Sequence, residues 1–151
     1  MTDPSKGFLA RFLQAQAPTS RGRAGARIAM GGLLVGAGIS HLTFAREEFL
    51  AQVPAFVPLN GDAVVVASGI IEISLGAALI LLAKRRVPVG WVVALFFIAV
   101  FPGNIAQWVH AREAFGLDTD TKRLVRLFFQ PLLAAAALWS TAAWRDRPRA
   151  R

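Results

Sequence analysis

Four long stretches of apolar residues follow one another along the chain, separated by short polar segments. They cover residues 24–44, 62–83, 87–109 and 124–144. Each is about the 20 residues that a helix needs to cross roughly 30 Å of hydrocarbon. Runs such as LGAALILL and WVVALFFIAVF are continuously apolar and lack the alternation expected of membrane β-strands. The pattern therefore predicts an all-α membrane protein built as a bundle of four transmembrane helices.

The polar segments predict a single domain with two short tails. Residues 1–23 are expected to form a cytoplasmic tail or a short helix on the membrane surface, 24–144 the four-helix domain, and 145–151 a basic cytoplasmic tail. A soluble helical protein would need amphipathic outer helices to cover such apolar stretches, and 151 residues leave none. The composition agrees, because 55% of the residues are hydrophobic and the mean hydropathy is +0.49.

The net charge of +8 is explained by topology. Most of the 17 Lys and Arg residues flank the apolar stretches and concentrate in alternate segments, which by the positive-inside rule predicts that both termini are cytoplasmic. The cations are not interleaved with aromatic residues on a polar face, so no nucleic-acid partner is expected. Membrane lipids are the expected surroundings.

One carboxylate, Glu72, lies in the middle of an apolar stretch. A charge near the centre of a bilayer costs on the order of 3 kcal/mol, so such residues usually face a cavity or a partner. Gly69 and Gly76 lie on the same helical side and predict a close helix contact that encloses the carboxylate. Two interpretations stay open, a proton relay or ligand anchor and a hydrogen bond between helices.

In the first stretch, small residues at every fourth position predict a packing ridge of Gly32, Gly36 and Ser40.

The remaining polar residues of the apolar stretches collect toward the outer end of the bundle. Pro102 predicts a kink in the third helix, beyond which Asn104 and Gln107 share a face. The sequence predicts one cavity that opens to the outside and brings Glu72 close to Asn104; its candidate ligand or proton-relay residues are His41, Glu72, Asn104, Gln107, Arg126 and Gln130. The apolar connection between the first two helices is predicted to cover it as an ordered lid, through Pro54, Phe56 and Pro58. A simple apolar turn is the alternative.

Several kinds of chemistry have no support in the sequence. The chain has no cysteine, which excludes disulfides and thiolate chemistry within it. His41 and His110 have no second ligand three or four residues away, so no metal site is expected. Neither a complete catalytic constellation nor a redox centre is found, and whether the chain is an enzyme stays open.

Five motifs in order resemble the DoxX-like family of small four-helix bacterial membrane proteins. They are GISHLTFAREEFLAQVPAFVP, SGIIEISLGAALILL, KRR, FPGNIAQW and RLFFQPLL, and they cover about residues 36–133. The family pattern falls on His41, Val53, Pro54, Pro58, Ser68, Gly69, Glu72, Phe101, Pro102, Asn104, Arg126 and Gln130. Gly103 stands where the family usually has alanine. The resemblance implies a multi-pass protein of the bacterial inner membrane.

The resemblance also suggests a function. Some DoxX-like relatives are described as subunits of a thiosulfate:quinone oxidoreductase, and others as parts of oxidative-stress complexes. The leading hypothesis is therefore an accessory subunit of a quinone-linked membrane redox system, with a quinone as ligand and a soluble oxidoreductase as partner. In it Glu72 and Asn104 bind the ligand oxygen, His41 carries the proton and Arg126 tunes the site, while electrons come from a partner or a bound cofactor. The alternatives are a module that binds or transports a small hydrophobic molecule or lipid, and a structural membrane subunit.

Overall fold

The computed structural model describes residues 10–147, and this part of the chain is helical without any strand. The predicted all-α class is confirmed. The helices are α1 (Arg21–Leu42), α2 (Arg46–Leu50), α3 (Gly61–Leu81), α4 (Arg86–Val109) and α5 (Asp120–Ser140), with a 3-10 turn at Ala83–Arg85. The four long helices coincide with the four apolar stretches to within about one turn. The start of the predicted surface helix and the end of the basic tail lie outside the described residues.

Polar side chains define where three of the long helices begin. The Oγ of Ser20 accepts a hydrogen bond from the backbone N of Arg23 at the start of α1. Asn60 caps α3 in the same way, and Thr119 caps α5. Such caps satisfy backbone N–H groups that have no partner inside the helix. Pro102 lies inside α4, which continues for seven residues beyond it to Val109.

The helices pack as two pairs, α1 with α3 and α4 with α5. The contact of the first pair is made by glycines. A Cβ on Gly38 would lie 2.5 Å from the carbonyl O of Gly69, and a Cβ on Gly76 would lie 2.5 Å from that of Gly31. The close approach predicted for Gly69 and Gly76 is therefore confirmed. It places the backbones of the two helices in direct contact around Glu72.

The ridge predicted for α1 is wrong, because a Cβ on Gly32 or Gly36 would meet nothing within 4 Å. The helix uses Gly31 and Gly38 instead. Their seven-residue spacing equals that of the facing pair on α3, and a step of seven residues returns a helix to nearly the same side. The four-residue pattern lies on a different side of α1.

Contacts between loops and helix ends distinguish the two ends of the bundle. At one end, the buried Arg86 donates hydrogen bonds to the carbonyl O of Ala17 and Thr141 and to the Oδ2 of Asp146, at 2.9, 2.7 and 2.6 Å. The opposite end holds residues 43–60, which connect α1 to α3 and are called the lid below, and the connection 110–119 between α4 and α5. We call this the lid end.

Candidate functional site

A cavity of about 240 Å³ lies at the lid end, enclosed by the lid, α1, α3 and α4. Its walls are largely apolar, and the lid supplies one wall through residues that include Phe49, Pro54 and Phe56. Of the predicted lid residues, Pro58 is exposed and is not part of the lining. The polar residues that reach the cavity are His41, Gln52 and Ser68. This is a small apolar site with a few polar groups, the usual composition of a small-molecule pocket.

The lid is tied to the helices by several polar contacts. The Nε2 of Gln52 donates to the Oε1 of Gln107 at 3.0 Å, and the guanidinium of Arg112 donates to the backbone O of Ala51 and Val53. The backbone also comes close, since a Cβ on Gly103 would lie 2.9 Å from the O of Gln52. These contacts hold the lid against α4 and the connection 110–119, over the cavity.

Further ties join the lid to α3 and to the second connection. Arg46 forms an ion pair with Asp62 at the start of α3. The carboxylate of Glu48 accepts a hydrogen bond from the backbone N of Phe115. The rings of Phe49 and Phe115 also pack edge to face with centroids 4.6 Å apart. The lid is therefore an ordered part of the fold.

His41 and Glu72 face each other across the contact between α1 and α3. The Nε2 of His41 lies 3.5 Å from the Oε2 of Glu72, and its Nδ1 lies 3.4 Å from the carbonyl O of Val65. The two helices run in opposite directions and side chains lean toward the N-terminus of their helix, so these two lean toward each other. Only 5% of His41 and 8% of Glu72 is exposed.

The hydrogen bonding of this pair leaves room for one proton. Among the described residues, the Oε2 of Glu72 is buried without a hydrogen-bond partner. When the Nδ1 of a neutral His41 donates to Val65, its Nε2 is an acceptor that faces the carboxyl group. The pair can then hold one more proton, either on Nε2 or on Oε2. Since His41 also lines the cavity, a proton held by the pair would lie next to the cavity wall.

Asn104 and Gln130 form a separate amide pair between α4 and α5. The Nδ2 of Asn104 donates to the Oε1 of Gln130 at 3.0 Å, and the Nε2 of Gln130 donates to the carbonyl O of Phe97 at 2.9 Å. Both amides are buried. No hydrogen bond joins Asn104 to Glu72 among the described residues. Instead, Glu72 faces His41 between α1 and α3, and Asn104 bonds to Gln130 between α4 and α5.

The single cavity predicted from the sequence is therefore divided. Of its six predicted members, His41 lines the cavity under the lid, whereas Arg126 and Gln130 line a groove on α5. Glu72, Asn104 and Gln107 line neither. The physical reason is that α1 packs with α3 and α4 with α5, so that the buried polar groups find partners inside each pair.

Sequence reasoning missed two residues that organise the structure. Gln52 is the one polar residue in FLAQVPAFVP, and that isolation in an apolar loop was an available signal for a buried contact. Arg86 was interpreted only as part of a topology signal, KRR. Its place directly before the apolar run of α4 distinguishes it from Lys84 and Arg85, which are exposed.

A family described as a domain of unknown function (DUF8561) matches residues 30–141, about three quarters of the chain. The chain belongs to this family. No curated protein and no solved structure matches it.

The DUF8561 match contains the lid cavity but excludes part of the opposite end of the bundle. It begins inside α1 and ends directly after α5, so it includes the His41–Glu72 pair, the amide pair and the whole lid. Two partners of Arg86, Ala17 and Asp146, fall outside it. The candidate site of this chain therefore lies within the residues that match the family.

Proposed function

We propose that α1, α3, α4 and α5 all cross the bilayer of a bacterial inner membrane, as the resemblance to DoxX-like proteins implies, with both termini cytoplasmic, as the distribution of Lys and Arg predicts. Two segments, Gly61–Leu81 and Ala83–Val109, are long and apolar enough to do so, and only 28% and 33% of their most apolar windows are buried. The other two long helices have 22 and 21 residues, and charged residues near their starts lower their hydropathy. In this proposal all four long helices cross the bilayer, although two of them are less apolar at their starts.

Exposed apolar side chains support this arrangement. On α1 Leu33 is 55% exposed, and on α5 Phe128 and Leu132 are 68% and 61% exposed. Water-facing surfaces of monomeric proteins rarely carry large continuous apolar patches, whereas lipid-facing surfaces require them. Burying only the two most apolar helices in lipid would leave these side chains in water.

We propose that the lid cavity binds the head group of a small hydrophobic molecule with a carbonyl oxygen, and that a quinone is this molecule. The observation that carries the proposal is the apolar cavity under the lid with His41 in its wall and Glu72 3.5 Å behind it. Pockets for drug-sized ligands are roughly 300–1,000 Å³, so about 240 Å³ suits a single ring whose tail extends into lipid.

In this proposal the chain is an accessory subunit of a quinone-linked redox system. Reduction of a quinone to a quinol takes two electrons and two protons. The electrons would come from a soluble oxidoreductase or a bound cofactor, because the chain contains no cysteine and no redox centre of its own. What the chain supplies is an apolar binding site and one of the two protons, shared by His41 and Glu72, while the second proton would come from solvent. The roles suggested for Asn104 and Arg126 are not retained, since both lie outside the cavity lining.

A second candidate function uses the same cavity without a redox step. The apolar lining would equally accept another small hydrophobic molecule or part of a lipid, which the chain would bind or transport. The two functions differ in whether an oxygen of the ligand matters, because a ligand oxygen can accept a hydrogen bond from the hydroxyl of Ser68 and a hydrocarbon cannot.

Filling the cavity tests the proposal. The full chain is purified in a mild detergent, and binding of ubiquinone-1 is measured by native mass spectrometry. Ser68→Phe places a ring in the cavity and is expected to abolish binding. Ser74→Phe is the matched control, because Ser74 lies on the same helix, is exposed, and would add the same ring on the outside. His41→Gln is expected to weaken binding by about tenfold, since the amide cannot take up the proton that the imidazole shares with Glu72.

The outcomes separate the two candidate functions. Equal binding by the Ser68→Phe and Ser74→Phe variants would refute the cavity as the binding site. Binding of a short isoprenoid hydrocarbon as tight as that of ubiquinone-1, with no effect of His41→Gln, would support the second candidate and refute the quinone.

A further inference from the structure

A groove of about 550 Å³ on α5 is separate from the lid cavity and shares no lining residue with it. Phe115 and Leu117 of the connection 110–119 form one wall, and one face of α5 forms the other. The lining is mostly apolar, with cationic side chains near the lid end. A groove of this composition suits a molecule with a charged head and an apolar chain.

The charges near the start of α5 leave one cation without a counterion. The Nζ of Lys122 lies 2.8 Å from Asp118, and the Nη2 of Arg123 lies 2.7 Å from Asp120. Within residues 10–147, the guanidinium of Arg126 forms neither an ion pair nor a hydrogen bond. Its described contact is the ring of Phe115, whose centroid lies 4.9 Å away. The groove therefore presents an uncompensated positive charge, which favours an anionic group.

The residues that follow Arg126 give the groove a direction. Phe129 and Leu133 come three and seven positions later, on the same side of α5, and both line the groove. At about 1.5 Å per residue they lie about 5 and 10 Å further from the lid end. The amide of Gln130 between them already bonds to Asn104 and Phe97. The groove thus has a cationic end at the lid side and an apolar end toward the middle of α5, the same order as a membrane lipid.

We propose that this groove binds an anionic phospholipid, with the phosphate held by Arg126 and one acyl chain lying along Phe129 and Leu133. The guanidinium can donate two parallel hydrogen bonds to phosphate oxygens, and such charge-assisted bonds are the strong ones. A zwitterionic lipid carries its own ammonium group, which Arg126 repels, so the groove selects for net negative charge. The site depends on α5 spanning the membrane but not on a ligand under the lid.

Native mass spectrometry in a zwitterionic detergent tests this with the full chain and phosphatidylglycerol as the probe. Arg126→Gln is expected to weaken phosphatidylglycerol binding by about tenfold. Arg46→Gln is the matched control, because it removes the same charge at the same end of the bundle, outside the groove. It is expected to change the affinity less than about twofold. Phosphatidylcholine should bind more weakly than phosphatidylglycerol to the wild type.

A second variant keeps the test informative if Arg126→Gln does not fold. Val125→Trp retains every charge and places a bulky ring in the groove, since Val125 lines it and is 49% exposed. It should also lose phosphatidylglycerol binding. Added inorganic phosphate should not displace the lipid, because it lacks the acyl chain.

Three outcomes would overturn the proposal. Equal losses in the Arg126→Gln and Arg46→Gln variants would mean that only the overall charge matters. Equal affinity for phosphatidylcholine and phosphatidylglycerol would mean that the groove does not select for a net negative charge on the lipid. Displacement by inorganic phosphate would make the groove a site for a free anion and not for a lipid.

Discussion

The glycine contact between α1 and α3 makes a sharp prediction for two neighbouring positions of one helix. Gly38 faces α3, and Gly36, two residues earlier, faces open space. A Cβ on Gly38 would lie 2.5 Å from the carbonyl O of Gly69 and 2.9 Å from the backbone N of Ile73. A Cβ on Gly36 would meet nothing within 4 Å. Alanine at the two positions should therefore have opposite effects.

The magnitudes follow from these distances. Ordinary contact begins at 3.4 Å, so Gly38→Ala requires α1 and α3 to separate by about 0.9 Å at this point. The obstacles are backbone atoms, which cannot rotate away, and overpacking of this kind costs about 1–3 kcal/mol. At Gly36 no such cost arises, and replacing a helical glycine by alanine gains about 0.5–1 kcal/mol. The two variants should differ by about 1.5–4 kcal/mol.

Thermal unfolding in one detergent measures this difference directly. For a protein of this size, 1 kcal/mol shifts the melting temperature by about 2–4 °C. Gly38→Ala should melt below the wild type and Gly36→Ala at or above it. A melting temperature of Gly38→Ala that equals the wild type, or a larger loss in Gly36→Ala, would refute the assignment of Gly38 to the helix contact.

Two further predictions concern the ends of the bundle. Hydrogen bonds from Arg145 and, secondly, from Arg86 outweigh burial and lower the pKa of Asp146 to about 2 from 3.8. A carboxylate with a lowered pKa stabilises the fold above its unfolded pKa, so the free energy of unfolding should fall by about 2 kcal/mol as the pH falls from about 4 to 2. Unfolding measured against pH should show this step, and a step of equal size in Asp146→Asn would contradict it. At the lid end, Gly103→Ala should push on the backbone O of Gln52 and speed the hydrogen exchange of residues 43–60. Gly61→Ala should not, because a Cβ there would lie 3.4 Å from a lid side chain, an ordinary contact. Equal exchange in the two variants would contradict the tight contact at Gly103.

The helices were predictable because their signals are local. Continuous apolar runs define their lengths, and capping residues such as Ser20, Asn60 and Thr119 define where they start. Which side of a helix meets its neighbour is a different kind of information. In α1 two sets of glycines have plausible spacings, and only the partner helix decides between them. The sequence of α1 alone favoured the wrong set.

The enclosure of Glu72 was predictable, but its partner was not. Gly69 and Gly76 mark the side of α3 on which a helix must approach, and a carboxylate between them has to be covered. Asn104 was expected beside it because a count of residues from the predicted membrane surfaces placed Glu72 near the midplane and Asn104 in the outer half. His41 takes that place because its side chain leans along α1 toward Glu72. A count of residues places only the backbone of each residue and does not include the length or direction of its side chain. The isolation of Gln52 in an apolar loop indicates a buried contact, but the choice of Gln107 as its partner depends on the path of the lid, which no local signal predicts.

The position of the lid cavity between the two helix pairs suggests how a ligand would enter it. Its walls come from both pairs, with Val65 of α3 on one side and Val100 of α4 on the other. A molecule inside therefore contacts both pairs at once. Separating α1 from α3 would break the contact made by two glycines on each helix, whereas the lid backbone meets α4 at one glycine, Gly103. The lid is also held by hydrogen bonds that water can replace, such as the one from Gln52 to α4 and those from Arg112 of the connection 110–119. Opening of the lid would leave the contact of α1 with α3 intact, and it would remove the ring of Phe49 from that of His41, whose centroid lies 3.4 Å away.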